Sequence, residues 1–187
     1  MDSPDLRILA IDDSPFSKKR GKTECIGVLS NGGNVEGIIN FQVGTDGEDA
    51  AEKIIKAIMG SRFGKLIRLI LLQSITLAGL NLVDLKKLHS HTNIPVICIT
   101  NVKPKDGALG AAIRKAFKAK SVRERKLRIL EEAGEIRSIG GMYFQKIGMR
   151  PLEAERIISS FEGYPWNLRL AHLIATAIVK GESHGKA

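Results

Sequence analysis

The 187 residues, 43% of them apolar and only two of them cysteine, are enough to bury roughly 70% of the unfolded surface in one core without disulfides. The longest apolar runs are too short to cross a bilayer, and no secretory-type succession of charged, apolar and small residues opens the chain. Membrane insertion is excluded on that reading, and a cytoplasmic setting with Cys25 and Cys98 as reduced core thiols is expected. Twenty-nine basic against twenty acidic residues leave a net charge of +9, and most of the excess is local.

Leu6 to Ile11 is a short apolar run stopped by Asp12-Asp13-Ser14-Pro15, which predicts a buried strand. Strands over Glu24 to Ser30 and Val35 to Val43 flank Asn31-Gly32-Gly33-Asn34, a hairpin turn that supplies positive φ. Thr45 and Glu48 stand at capping-box spacing, so a helix is expected from about Thr45, its core face carrying Ala51, Ile54, Ile55 and Ile58. Gly60 to Gly64 ends it before a strand over Leu66 to Leu72. An irregular stretch, Gln73 to Gly79, precedes a helix to about His91 and a strand over Pro95 to Thr100, joined to its predecessor by a parallel crossover. Leu109, Ala112, Ile113, Ala116 and Phe117 mark a helix whose other face carries Arg114, Lys115 and Lys118. A basic helix over Ser121 to Ala133, strands over Ile136 to Ile139 and Met142 to Ile147, and a helix opened by Pro151 follow. Asn167 to about Val179 reads as a helix apolar nearly all round and therefore buried. Gly181 to Ala187 reads as a loose tail. No repeat or composition break divides residues 1–187, so one domain is expected.

This element order predicts an α/β fold: a mixed five-stranded sheet of ribonuclease H-like type, three antiparallel strands and then parallel ones, flanked by helices, with a C-terminal extension. Sheets of that type gather carboxylates at neighbouring strand ends, and Asp12 and Asp13 stand where such a site begins. Acids clustered there can hold divalent cations against a nucleic-acid phosphate; the alternative is a pair that ends a strand and starts a turn. Alternation of side chains lets only one of the two face the core side. Asp46, Glu48, Asp49 and Glu52 form a second acidic group near enough in this topology to join Asp12, although acids in a first helical turn also oppose the helix dipole without any metal. Gln73 follows the central strand, where parallel sheets place ligands, and offers a metal only a neutral carbonyl. His89, His91, His172 and His184 have no metal-ligand spacing, and His172 reads as a core or groove residue.

From Asn101 to Arg128 there are ten basic residues against two acids, and Lys18, Lys19 and Arg20 form a second cluster. Arg114, Lys115, Lys118, Arg123, Arg125 and Lys126 are the candidates for phosphate contact through counterion release. A solvated helix face is the alternative, since aromatic residues for base stacking are scarce nearby.

Ile11-Asp12-Asp13-Ser14-Pro15-Phe16, Thr45 to Glu52, Ile75 to Asp84 and Leu168 to Ala175 together resemble an archaeal family, domain of unknown function 99, similar in turn to endonuclease V. The resemblance runs nearly end to end. It implies a Mg²⁺-dependent nuclease that cuts strands near deaminated bases, with the first-strand acid on Asp12; the residues themselves add Asp46 or Asp49, and Asp13, as helpers that would hold Mg²⁺ or Mn²⁺ against DNA or RNA. The next strand-end acid falls on Gln73-Ser74, where this chain has no carboxylate. The helix-leading glycine-histidine falls on Gly148-Met149, and the strand-separating Tyr-Ile-Pro has no counterpart. The competing expectations are a nucleic-acid-binding protein without catalysis and a regulator or scaffold; oligomeric state is left open.

Overall fold

The computed structural model describes residues 6–15 and 21–184. Strands β1 (Arg7–Asp13), β2 (Lys22–Asn31) and β3 (Asn34–Gly44) form an antiparallel meander. The β2–β3 turn places Gly32 at φ 56°, and a glycine at the first central position suits a two-residue hairpin. Helix α1 (Ala50–Gly60) leads to β4 (Leu69–Leu72), which pairs in parallel with β1. A short hairpin, β5 (Thr76–Leu77) with β6 (Asn81–Leu82), precedes α2 (Leu85–Thr92) and β7 (Val96–Thr100), which lies parallel to β4. Helices α3 (Ala108–Ala116) and α4 (Lys120–Glu132) follow, then β8 (Arg137–Ile139), β9 (Met142–Ile147), α5 (Pro151–Ser159) and α6 (Trp166–Lys180).

The main sheet runs β3-β2-β1-β4-β7-β9-β8. The predicted five strands form its first five positions, and the C-terminal hairpin extends it to seven by pairing β9 antiparallel to β7. On one face Leu9, Ile11, Ile70, Leu72 and Cys98 pack with Ile54 and Ile58 of α1 and Leu85 and Leu88 of α2. On the other, Ile8, Ala10, Leu71, Ile97 and Ile99 pack with Phe144, Ala154, Ile158 and Leu168. Burial on both faces explains why β1 and β4 are continuous apolar runs rather than alternating ones. No helix among the described residues is long and apolar enough to cross a membrane.

Four expectations change. Helix α1 begins at Ala50, and the Thr45–Glu48 capping box does not form; the Thr45 hydroxyl instead meets that of Thr23 at 2.9 Å. Tertiary bonding overrides the local signal here, because Asp46 adopts φ 54° and donates its N–H to the Ala78 carbonyl at 2.8 Å. Strand β4 starts at Leu69 rather than Leu66, whose N–H closes a turn onto Phe63. The stretch expected to be irregular contains β5, and its partner β6 stands where the next helix was expected, so α2 begins only at Leu85. Helix α6 buries only one face, with Leu168, Ala171, Ala175 and Thr176 against β1 and β2, while Ile178 is 51% exposed.

That face is set by a polar anchor. Buried Asn167 donates Nδ2 to the Ser30 hydroxyl at 3.0 Å, pinning the start of α6 to β2. Small Ala171 and Ala175 then let the helix lie close to the sheet over Ile26 and Val28. The pinned register carries His172 past the end of β1.

Candidate active site

The alternation that buries Leu9 and Ile11 on one face and Ile8 and Ala10 on the other continues past Ile11. It turns Asp12 toward α6 and Asp13 toward α1. Asp12 is only 1% exposed; its Oδ1 accepts the Asp13 N–H at 2.8 Å and its Oδ2 lies 3.0 Å from His172 Nδ1. A carboxylate so deeply buried needs a partner, and half-exposed His172 supplies it. The hydrogen bond to Asp12 holds the imidazole above the ordinary histidine range, with burial opposing and the charges of Asp12 and Asp13 adding to the rise.

Two further side chains complete this face. Gln73 follows β4, in line with Asp12 on its neighbour strand, with its N–H directed at the Ile11 carbonyl. The Tyr164 hydroxyl is buried beside the Gln73 side chain but makes no well-formed hydrogen bond. Burial, and then the charge of Asp12, push this phenol above its usual range.

Asp13 has a different environment on the opposite face. Its Oδ2 accepts the Ala78 N–H at 2.7 Å. Burial nevertheless pushes its carboxyl up to about 6, against the lowering effect of that bond and with help from the Asp12 charge. Cys25, paired with Asp13 across the β1–β2 ladder, has its thiol pushed up by burial and by both aspartates, which makes it an inert core group.

The second acidic group braces loops. Asp46 Oδ1 accepts the Leu80 N–H at 2.9 Å, and Asp49 Oδ1 accepts the Gly44 N–H at 3.0 Å and Asn81 Nδ2 at 2.7 Å. Asn81, fully buried, uses its Oδ1 to accept the Ala50 N–H at 3.1 Å, so it caps α1 from another segment. Glu48 pairs with Arg125 at 3.4 Å and Glu52 with Lys87 at 2.6 Å. The contacts of Asp46, Asp49 and Asn81 tie the β3–α1 loop to the β5–β6 hairpin, while Glu48 and Glu52 reach α4 and α2. Among the described residues no three histidine, cysteine or acidic side chains stand together as a metal-binding group.

The basic candidates separate in the same way. Arg114, Lys115 and Lys118 are exposed. Arg123 donates to the Phe117 and Lys118 carbonyls at 3.2 and 3.0 Å, joining α3 to α4. Lys126 is a correction: it is 1% exposed, with Nζ donating to the carbonyls of Gly47 and Leu80 and lying 4.6 Å from the Phe117 ring centre. Its position on α4 turns it inward to two backbone carbonyls and an aromatic ring, and burial pushes its ammonium below the usual lysine range. Lys18, Lys19 and Arg20 lie outside the described residues.

Gly148-Met149 is at the wrong end of the sheet to meet Asp12. Ile147 pairs with Val96 at the start of β7, whereas Asp12 lies at the finishing end of the parallel β1. Gly148 has φ 78°, and a Cβ there would come within 2.4 Å of the His89 ring, so a close approach requires this glycine. The histidine facing Asp12 is His172. Its sequence signal was its place in the stretch Leu168 to Ala175, as that of Asn81 was its place in Ile75 to Asp84; Tyr164 carried none.

Residues 4–179 match the endonuclease dU family. The chain belongs to the endonuclease dU family. A UPF0215 protein of Thermococcus sibiricus is 40% identical over 190 residues, covering 96% of this chain and 95% of that protein. A UPF0215 protein of Archaeoglobus fulgidus is 39% identical over 184 residues, covering 97% and 98%. Among solved structures, a protein of unknown function from Archaeoglobus fulgidus superposes with TM-score 0.84 at 36% identity, covering 96% of this chain and 99% of that one. Human endonuclease V gives TM-score 0.54 at 13% identity, covering 90% and 82%. Endonuclease V of Ciona intestinalis, bound to a 24mer DNA containing an inosine followed by a ribo-adenosine, gives 0.53 at 11%, covering 89% and 82%. At those identities the likeness to endonuclease V is one of fold, and this endonuclease dU family member has the ribonuclease H-like architecture that the element order predicts.

The donors around Asp12 do not fit a two-ion centre, since Asp13 points away and Asp46 and Asp49 are engaged elsewhere. What they offer a single hard cation is one carboxylate, Asp12, whose oxygens already meet the Asp13 N–H and His172. Mg²⁺ is commonly held by one or two carboxylates together with substrate phosphate, and the unpartnered Tyr164 hydroxyl marks a second oxygen on the same face.

Proposed function

We propose that this endonuclease dU family member cuts nucleic-acid strands next to a deaminated base, with deoxyuridine in DNA as the first substrate to test. The observation that carries the proposal is the Asp12–His172 contact at the finishing end of the parallel strands, where open α/β sheets hold their ligands. Buried Asp12 fixes the imidazole through Nδ1 and sustains positive charge on a half-exposed ring, whose Nε2 lies 3.5 Å from the Thr176 hydroxyl. A ring so held suits a phosphate oxygen and can pass a proton to the departing strand. The Gln73 amide and the Tyr164 hydroxyl add uncharged polar groups on the same face. Asp12 with the Gln73 carbonyl would hold Mg²⁺ or Mn²⁺, which when bound supplies Lewis-acid polarisation of the phosphoryl group. The family description and the inosine-containing DNA bound by the Ciona protein support the choice of substrate.

The test uses end-labelled oligonucleotides carrying one deoxyuridine, one deoxyinosine or only normal bases, with Mg²⁺, Mn²⁺ or chelator. A nick at a fixed distance from the modified base, absent with chelator, is expected. Equal cutting of the unmodified strand, or none of any, sinks the proposal. A second reading, nucleic-acid binding without cleavage, is favoured by Gln73 standing where an acid is expected, and no cutting despite tight binding is its outcome.

Either reading uses the exposed cations of α3 and the segment after it. Reversing Arg114, Lys115 and Lys118 to glutamate is expected to lower the slope of log affinity against log salt by about 2–3 for duplex DNA. An unchanged slope assigns these residues to a solvated face.

A further inference from the structure

A cavity of about 540 Å³ opens at the finishing ends of β4 and β7, and Gln73 forms part of its wall. Its size falls within the roughly 300–1,000 Å³ of small-ligand sites. Ile75, Ile99, Leu109 and Phe144 contribute apolar surface, and the facing charges of Lys105 and Asp106 have opposite signs. That lining suits a flat, uncharged, polar-edged ring better than a phosphate.

One group in the wall has a fixed hydrogen-bonding sense. Gln145, on β9 opposite Cys98 of β7, is 8% exposed and donates Nε2 to the Gly134 carbonyl at 2.8 Å. Only the amino half of an amide can face a carbonyl, so the orientation of the side chain is set by chemistry. Oε1 is left as the free half. Among the described residues none donates to it, and it is not sealed away as a dry buried atom. With Nε2 committed to Gly134, Oε1 is the half of this cavity-lining amide left to meet a ligand, as an acceptor.

We infer that Gln145 reads the ring N–H by which a deaminated base differs from its parent. Uracil at N3 and hypoxanthine at N1 carry a hydrogen there; cytosine and adenine present a bare acceptor at the same position. Oε1 bonds to the first pair, whereas the second pair would set two acceptors against each other in a confined space. The inference rests on the proposed nuclease reading and names the residue that selects its substrate. A base reaching this recess must leave the stack, and a deaminated base in a mismatched pair does so at least cost.

The experiment measures binding of the whole chain, in chelator, to oligonucleotides that differ at one position: deoxyuridine, deoxycytidine or 3-methyl-deoxyuridine. The last keeps both uracil carbonyls and lacks the N–H. Preference for deoxyuridine over the other two by at least about tenfold is expected, since sites built around a hydrogen bond reject analogues lacking it. Gln145→Met is expected to bind all three at the deoxycytidine level with unchanged salt dependence. Equal affinity of the unaltered protein for deoxyuridine and 3-methyl-deoxyuridine overturns the inference, and that comparison involves no variant that could misfold. Preference retained in Gln145→Met overturns it as well. A Gln145-dependent preference in a protein that never cuts supports this inference while removing the nuclease. Deoxyuridine-specific cutting that survives Gln145→Met does the reverse.

Discussion

Asp12→Asn is expected to lower cleavage of a deoxyuridine-containing strand by about a thousandfold or more, within the range seen when an acid–base group is lost. Affinity for the uncut strand is expected to stay within about threefold. The amide keeps the shape of the side chain and an oxygen for the Asp13 N–H, so the strand end holds its conformation. What disappears is the negative charge that favours the protonated form of His172. Because Asp12 is almost fully buried, removing its charge also relieves a desolvation cost, and the melting temperature is expected to hold or rise. His172→Ala is expected to be similarly impaired, and the double variant no worse than Asp12→Asn, since the two groups act as one unit. Single-turnover cleavage and a thermal melt on each variant check this. Near-normal cutting by Asp12→Asn removes the centre from the mechanism.

The second large effect falls on stability. Lys126→Met keeps the apolar stem yet leaves the Gly47 and Leu80 carbonyls without this donor, and removes one of the cations near the acids of the β3–α1 loop. A loss of about 2–4 kcal/mol is expected, of the size found when one partner of a buried charged contact is removed. Urea unfolding gives the measure, through a lower midpoint at unchanged slope. Arg125→Ala, which breaks the more exposed pair with Glu48, is expected to cost less than about 1 kcal/mol. Lys126 lies inside, so the salt dependence of DNA binding is expected to remain as it was. A stability loss below about 1 kcal/mol for Lys126→Met shows that the loops hold together without it.

Much of the architecture was legible in the chain. The apolar runs at Leu6–Ile11 and Leu66–Leu72, the glycine turn at 32–33 and the helical spacing of Ile54 and Ile58 are local signals, set by strand and helix periods within a few residues. They placed Asp12 at a strand end and gave the first five strands their order. The acidic cluster at 46–52 and the basic face at 114–126 were legible only as charges. Which of those charges serve a site depends on the loops they meet: Asp46 and Asp49 found backbone N–H groups and Asn81, and Lys126 found two carbonyls. The partnership of Asp12 with His172 is of the same kind. It joins the first strand to the last helix, and its register is set by Asn167 on Ser30. No period or spacing along the chain encodes such a contact, because the cost of burying a lone carboxylate is met by whichever side chain the assembled sheet and helix bring to it.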